Sequence, residues 1–531
     1  MRRTSVRSRA GAAITAALGV LLMTLLAACG PGPVPPQQAA EARAATSGPT
    51  GSMTVQLPER PGGFDPFAPP GTADQMLAAM HFEPLVTAVD GRLIPRMATW
   101  WLSIEDGQRH LVNVRRDLWS DGSHQMGAAD LLFTVEAHLR PGSRSPLLPA
   151  LLQIRGAREF HEGRAQHVAG ITADTSRSTV IALTDPDPHY LSRLTGLFVL
   201  PRHVYAGQDL QNADLFREPA VGSGPYVFDA WQGGDQVTLK PNAEVKPFTR
   251  LDHVVARVSP PGQVLAALAE GEVGVAVDVP LGEVGNPPEG YRTVQAPGST
   301  LVGLSGRGPL ADVRLRQALA YAIDREGILA EHLGGHGRVV DSVLFTPDWA
   351  NSPQRARYPH DPQRARELLA QAGWTESGEL SIVALTADSA RGVWDAVVAD
   401  LAEVGVRARV TVRPVGERAA VWADPQVDAV IETYRMPMPD PVLIESWVSC
   451  GRAPSGLCDP ALDRLLAEGR GQTVATERQQ TYWAADELLA ERLPVVPLWL
   501  PDDVMVLPEK RQVGSPGVQP ATAMVGAWGT R

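Results

Sequence analysis

The sequence is poor in lysine. Lys240, Lys246 and Lys510 are the only three in 531 residues, and none is followed by Ser or Thr. No Gly-Lys-[Ser/Thr] phosphate loop can form, so the chain is not itself a P-loop ATPase. Arginine supplies the rest of the 48 basic residues, an imbalance read as genomic base composition. Acids outnumber bases at 59, for a formal net charge of −11. A chain this acidic is a poor binder of nucleic-acid phosphates, and no nucleic-acid partner is expected. Histidine-based catalytic motifs are also missing. There is no His-Glu-x-x-His, and Gly303-Leu304-Ser305-Gly306-Arg307 breaks the Gly-x-Ser-x-Gly elbow at its last position. His332 and His336 have a spacing that can hold zinc, but Gly334 and Gly335 between them end the helix that would present them. No catalytic residue, metal site or cofactor is expected. What is present is apolar: 44% of residues are hydrophobic, enough to bury the cores of two or three domains.

Long apolar runs are absent with one exception. Arg2, Arg3, Arg7 and Arg9 precede an apolar stretch from Ala10 to Ala28, so residues 1–28 read as a signal peptide. Leu26-Ala27-Ala28-Cys29 resembles the bacterial lipobox, which makes Cys29 the expected lipidation site and acyl chains the expected anchor on the extracytoplasmic face of the cell membrane. Residues 29–51 are rich in Pro, Ala and Gly. Pro31, Pro33, Pro35 and Pro36 favour extended backbone, as in a tether. Export leaves Cys450 and Cys458 in an oxidising compartment, where so close a pair is expected to form a disulfide.

Beyond Ser52, strand and helix signals alternate. Met53 to Leu57 alternates apolar and polar residues, and Leu111 to Val114 and Thr179 to Leu183 read the same way. Gly233-Gly234 before Val237 predicts a hairpin, and Val254 to Val258 a more buried strand. Asp312, Asp324, Asp361-Pro362 and Asp459-Pro460 predict helix starts; Gly334-Gly335, Gly373 and Gly469 predict their ends. Asp185-Pro186-Asp187-Pro188 reads as an acidic turn. Trp119, Trp231 and Trp374 read as core or lobe-edge residues rather than a sugar platform. Such mixing over this length implies α/β lobes.

Several stretches together resemble one family, the family 5 solute-binding proteins of bacterial ABC importers, the dipeptide- and oligopeptide-binding class. His81 to Val86 followed by Leu93-Ile94-Pro95 and Trp100 is similar to "YEGLV…G.LVP.LA..W". Val114 to Gly122, followed by Ala129 to Thr134, resembles "LR.GVKWHDG…TA.DV.FT". Val221-Gly222-Ser223-Gly224-Pro225-Tyr226 resembles "VGTGPY", and Leu251 to Val273 carries the "LD.I.FRVIPD…AL..GEVD" pattern. Asp312 to Arg325 is similar to "DVRVRQALAYAIDR", and Asp361 to Trp374 to "YDPEKAKKLLAEAGY". Arg314 and Arg316 in that helix read as a solvated face or structural ion pairs rather than ligand contacts.

The resemblance implies a two-lobed, periplasmic-binding-protein-like α/β fold of type II, in its large family 5 form with an extra subdomain and a two-segment hinge. Lobe I would span 52–290, with the subdomain at about 86–215. Lobe II would span 291–495, and 496–531 would return to lobe I, with crossings near 285–295 and 490–505. It further implies a monomer that captures peptides or peptide-like solutes in the interlobe cleft and hands them to an ABC permease with separate ATPase subunits. Peptide binders of the family have a segment like "GW..D..DP" whose first acid meets the ligand's amine. Here Thr433 to Pro441 aligns with it: Tyr434 matches the aromatic residue and Asp440-Pro441 the closing pair, but Pro437 stands where the acid belongs. Tyr434, Arg435, Asp440 and Glu432 are therefore the candidate ligand residues, with Glu432 or Asp440 replacing the lost acid. The cysteine pair and the Val525-Gly526-Ala527-Trp528 ending also look like a branch of actinobacterial lipoproteins tied to phosphatidylinositol mannoside and lipoarabinomannan synthesis. The alternative expectation is thus an envelope lipoprotein that binds a glycolipid or sugar-containing ligand and regulates lipoglycan synthesis.

Overall fold

The computed structural model describes residues 51–509, apart from 70–71, 90–91, 246–250, 278, 297, 299, 376–377, 386–390 and 437–439. The signal segment, Cys29, the tether, Pro437 and residues 510–531 lie outside the described residues. No helix among the described residues is long and apolar enough to cross a membrane.

Two main sheets, each with its own core, organise the chain. The first has four strands in the order Ser52–Leu57, His253–Val258, Gln236–Pro241, Tyr226–Gln232. Its outer strand, Ser52–Leu57, runs parallel to its neighbour, while the other pairs are antiparallel. Alternation puts Met53, Val55 and Leu57 into a core with Phe64, Phe82, Leu239 and Val254. The second has six strands in the order Gly337–Arg338, Val496–Pro501, Thr300–Gly306, Ala429–Arg435, Glu379–Leu385, Arg407–Arg413. Helices Val313–Ala322, Pro362–Gln371 and Arg391–Glu403 cover it. A third, antiparallel sheet of Ala98–Ile104, Arg109–Val114, Ser178–Ala182 and Ile171–Ala173 forms a subdomain around the fully buried Trp119.

Aspartate caps start the helices where the sequence predicts. Asp361 accepts from Arg364 N–H at 2.9 Å, and Asp312, Asp324 and Asp459 cap in the same way. Gly373 ends its helix in the left-handed region at φ 71°. Gly469 does not end a helix. The helix continues to Gly471, and a Cβ at 469 would lie 2.8 Å from the Tyr482 ring, so glycine is needed there for close packing. Neither arginine of the Asp312 helix touches the cavity described below. Arg314 pairs with Asp312, and the buried Arg316 donates to the carbonyls of Leu310, Ala311, Arg492 and Leu493.

Two strand pairs link the lobes. Tyr291–Ala296 pairs with Asp503–Pro508, and a bridge from Ala276 to Val506 joins this ribbon to the first sheet's side. Thr300–Gly306 pairs with Val496–Pro501 in the six-stranded sheet. The chain therefore changes sheet between Ala296 and Thr300, and again at Asp502.

Val221-Gly222-Ser223-Gly224 owes its composition to packing. The amides of Ser223 and Gly224 both donate to the carbonyl of His81, at 3.0 and 2.8 Å. The loop also exchanges hydrogen bonds with Ser120 and receives one from Arg115, so it joins the first sheet to the subdomain. A Cβ at Gly224 would lie 2.4 Å from the Met80 carbonyl oxygen. Gly224→Ala is therefore expected to cost about 2–3 kcal/mol of stability, read by urea denaturation, because the clash is with backbone that cannot rotate away.

Candidate functional site

A cavity of about 340 Å³ lies between the two lobes. Val277, Val279, Leu281 and Val504 line it from the first-sheet side. Val302, Trp394, Ile431, Glu432 and Trp499 line it from the six-stranded sheet and its helix. Trp394 and Trp499 stack on each other with centroids 5.8 Å apart. The charged part of the lining is acidic: Glu432, Asp502 and Asp503, with no Lys or Arg among the lining residues.

The charges differ in how they are balanced. Arg418 holds Glu432 with two hydrogen bonds, of 2.5 and 3.1 Å. Arg435 acts electrostatically on Asp503; burial lowers its pKa from the ordinary value and Asp503 opposes that. Asp502 accepts a hydrogen bond from Gln295 and has no ion-pair partner among the described residues. It sits where the chain crosses between the lobes.

The four candidate ligand residues do not converge on this cavity. Glu432 lines it. Tyr434, two residues along the same strand, points into the core beside Trp447. Its hydroxyl lies 2.6 Å from Ser305 Oγ and 3.3 Å from Glu432 Oε1. Burial first, and Glu432 second, push the Tyr434 pKa well up, so the phenol stays neutral and can orient Glu432. Asp440 is buried and spends one oxygen on Arg478 at 2.8 Å and on the Val442 amide. Sequence reasoning missed Asp502 and Asp503, although their adjacent carboxylates fall inside the expected crossing at 490–505.

It also missed a second junction. Asp187, in the acidic turn, is fully buried and binds Arg193 Nε at 2.8 Å. Arg193 also lies 3.4 Å from Glu445, which follows the six-stranded sheet's Ala429–Arg435 strand, and Arg452 and Arg470 flank the same carboxylate at 3.3 and 3.2 Å. His189 Nδ1 stands 3.7 Å from Asp440 Oδ2 alongside it. These contacts join the subdomain to the second lobe. Cys450 and Cys458 form a disulfide whose loop carries Arg452. Cys450→Ser is expected to lower unfolding free energy by about 2–3 kcal/mol in denaturant titrations, the cost of opening so short a loop.

The family model for bacterial extracellular solute-binding proteins, family 5 Middle, matches residues 92–454, well over half of the chain. The chain belongs to the family 5 bacterial extracellular solute-binding proteins. It is thus a solute-binding protein of the ABC-importer class rather than an enzyme. Among curated relatives, this solute-binding protein is 26% identical over 446 residues to the probable di/tripeptide-binding protein 5 of Pseudomonas aeruginosa, covering 77% of this chain and 81% of that one. Its fold is similar to the oligopeptide-binding protein AppA from Bacillus subtilis in complex with a nonapeptide, with TM-score 0.78 and 18% identity over 91% of this chain and 99% of AppA. It is equally similar, at TM-score 0.78 and 21% identity, to AgaA from A. tumefaciens R10 in complex with agropinic acid, over 90% and 97% of the two chains. The two-lobed α/β architecture of the family is the architecture found here.

Proposed function

We propose that this protein captures short peptides or peptide-like solutes in the interlobe cavity and delivers them to an ABC permease served by separate ATPase subunits. The observation that carries the reading is the charge of the cavity. Its walls are mostly apolar, its charged groups are acidic, and Asp502 has no ion-pair partner among the described residues. A protonated ligand amine supplies a cation, in a charge-assisted contact worth more than a neutral hydrogen bond. Asp502 and Glu432 thereby replace the acid that Pro437 displaces, while Tyr434 and Arg435 act as supports. Di- and tripeptide binding by the curated relatives supports the ligand class.

The position of Asp502 couples capture to closure. A ligand held there touches both lobes and the segment between them, so it favours the closed arrangement by its differential affinity. On this reading lobe I runs from Ser52 to about Ala296 and includes the subdomain. Lobe II runs from Thr300 to Pro501, and the chain then returns to lobe I. Lipidation at Cys29 holds the monomer at the outer face of the cell membrane, and Cys29→Ser is expected to move it from the membrane fraction to the soluble one.

Calorimetry with a di- and tripeptide panel tests the ligand contact. Asp502→Asn and N-acetylation of the peptide are each expected to weaken binding about 10–100-fold, and together by little more than either alone. Equal affinity for free and N-acetylated peptides would refute the amine contact.

A further inference from the structure

The subdomain carries a cluster that peptide capture does not use. Trp119 to Gln125 form a tight turn closed by a bridge between Leu118 and Gln125, with Gly122 at φ 68°. The turn displays Asp121, Ser123 and His124. The short helix Arg202–Tyr205 brings His203 against it. His203 Nε2 lies 3.0 Å from Asp121 Oδ2. Ser123 Oγ lies 2.5 Å from the same oxygen and 2.6 Å from His124 Nδ1. The two imidazoles stack with centroids 4.0 Å apart. One ligand atom from each of Asp121, His124 and His203 lies within 4.8 Å of the others, and among the described residues no other His, Cys, Asp or Glu group converges in this way.

We propose that Asp121, His124 and His203 bind a divalent transition-metal ion of the zinc, nickel and copper type. Two imidazoles and one carboxylate suit these ions, whereas magnesium and calcium require oxygen ligands. The protein already spends hydrogen bonds on drawing the three groups together. Ser123 Oγ bridges two of them, donating to the Asp121 carboxylate and hydrogen-bonded to His124 Nδ1, and the protons in these contacts are ones a cation can replace. His124 is exposed, so its ring can tilt out of the stack and direct a nitrogen lone pair at the same point as His203.

The site opens onto a cavity of about 420 Å³ lined by His124, His203, Gln125, Asp130 and Arg202. Three protein ligands leave coordination positions for water or an anionic group, and Arg202 favours the latter. None of the three ligands lines the interlobe cavity, so the metal is additional to the captured solute. Among the described residues His332 and His336, the pair with zinc spacing in the sequence, belong to no cluster of three or more such groups. The left-handed glycines at 334 and 335 end the helix between them.

The test is calorimetric titration of the untagged full chain with Zn²⁺, Ni²⁺ and Cu²⁺, together with Cu²⁺ electron paramagnetic resonance. One ion per chain and a spectrum showing two coupled nitrogens are expected. Losing only a hydrogen-bond partner of a metal ligand costs about 10–100-fold in affinity, so His124→Ala and His203→Ala should each weaken binding at least that much. Both variants should keep their metal-free melting temperature and their peptide affinity. His124→Ala, at an exposed position, remains interpretable even if His203→Ala folds poorly. Absence of a tight equivalent, or a tight equivalent that His124→Ala leaves unchanged, would overturn the proposal.

Discussion

Arg193→Met is expected to lower the unfolding free energy by about 3–5 kcal/mol. Arg193 is buried between Asp187, which is wholly inaccessible, and Glu445, also buried. Removing the guanidinium leaves the Asp187 carboxylate in a low-dielectric interior where, among the described residues, its remaining hydrogen bond is from the His189 amide. Glu445 loses less, because Arg452 and Arg470 remain. Two controls make the mechanism specific. Arg452→Met removes a side chain that is 41% exposed and should cost under about 1 kcal/mol. Asp187→Asn in the Arg193→Met background should recover a large part of the loss, since it removes the stranded charge. Urea denaturation of the four proteins decides the matter, and equal effects of the Arg193 and Arg452 changes would contradict it.

Acid is expected to destabilise the first lobe through two histidines. His81 and His138 are both pushed down to a pKa of about 3, His81 by burial and His138 by burial and then by Arg144. His81 accepts a hydrogen bond from the Phe228 amide on its Nδ1, and His138 packs on Phe67. Each is neutral when folded but protonates near pH 6.5 when unfolded. The unfolded state therefore binds more protons below that pH, and stability falls as pH falls from about 6.5 to about 3. The slope contributed by each histidine is up to about 1.4 kcal/mol per pH unit. Asp130 and Asp486, whose pKa values burial raises, work in the opposite direction and soften the total. Unfolding free energies of wild type and His81→Gln between pH 7 and pH 4 test this. The variant should start lower yet show a shallower slope, and an unchanged slope would exclude His81 as a source of acid lability.

Local features were legible in the sequence because local chemistry causes them. An aspartate that caps its own helix at Asp312, Asp324, Asp361 or Asp459 needs no distant partner. The match of Val221 to Tyr226 to a family motif was also readable, though its cause was not: the His81 and Met80 carbonyls against which its glycines pack are far away in sequence. The same limit explains the candidate site. Tyr434 aligns with a ligand-segment aromatic and shares a strand face with Glu432, but Ser305 and Trp447 enclose it in the core, the first of these a contact spanning 129 residues. Asp187 reads as a turn residue until the fold brings its partner Arg193 within reach of Glu445. Asp502 carried a local signal, two adjacent acids at an expected crossing. Only the cavity beside it shows what that charge faces.

Native mass spectrometry of the protein purified gently from its own host tests the central claim most directly, because a solute held in a closed cleft survives that route and its mass identifies it. The account predicts a ladder of bound masses matching short peptides, lost from the Asp502→Asn variant. A bound sugar-containing lipid in their place would contradict peptide capture and move the protein to envelope lipoglycan regulation.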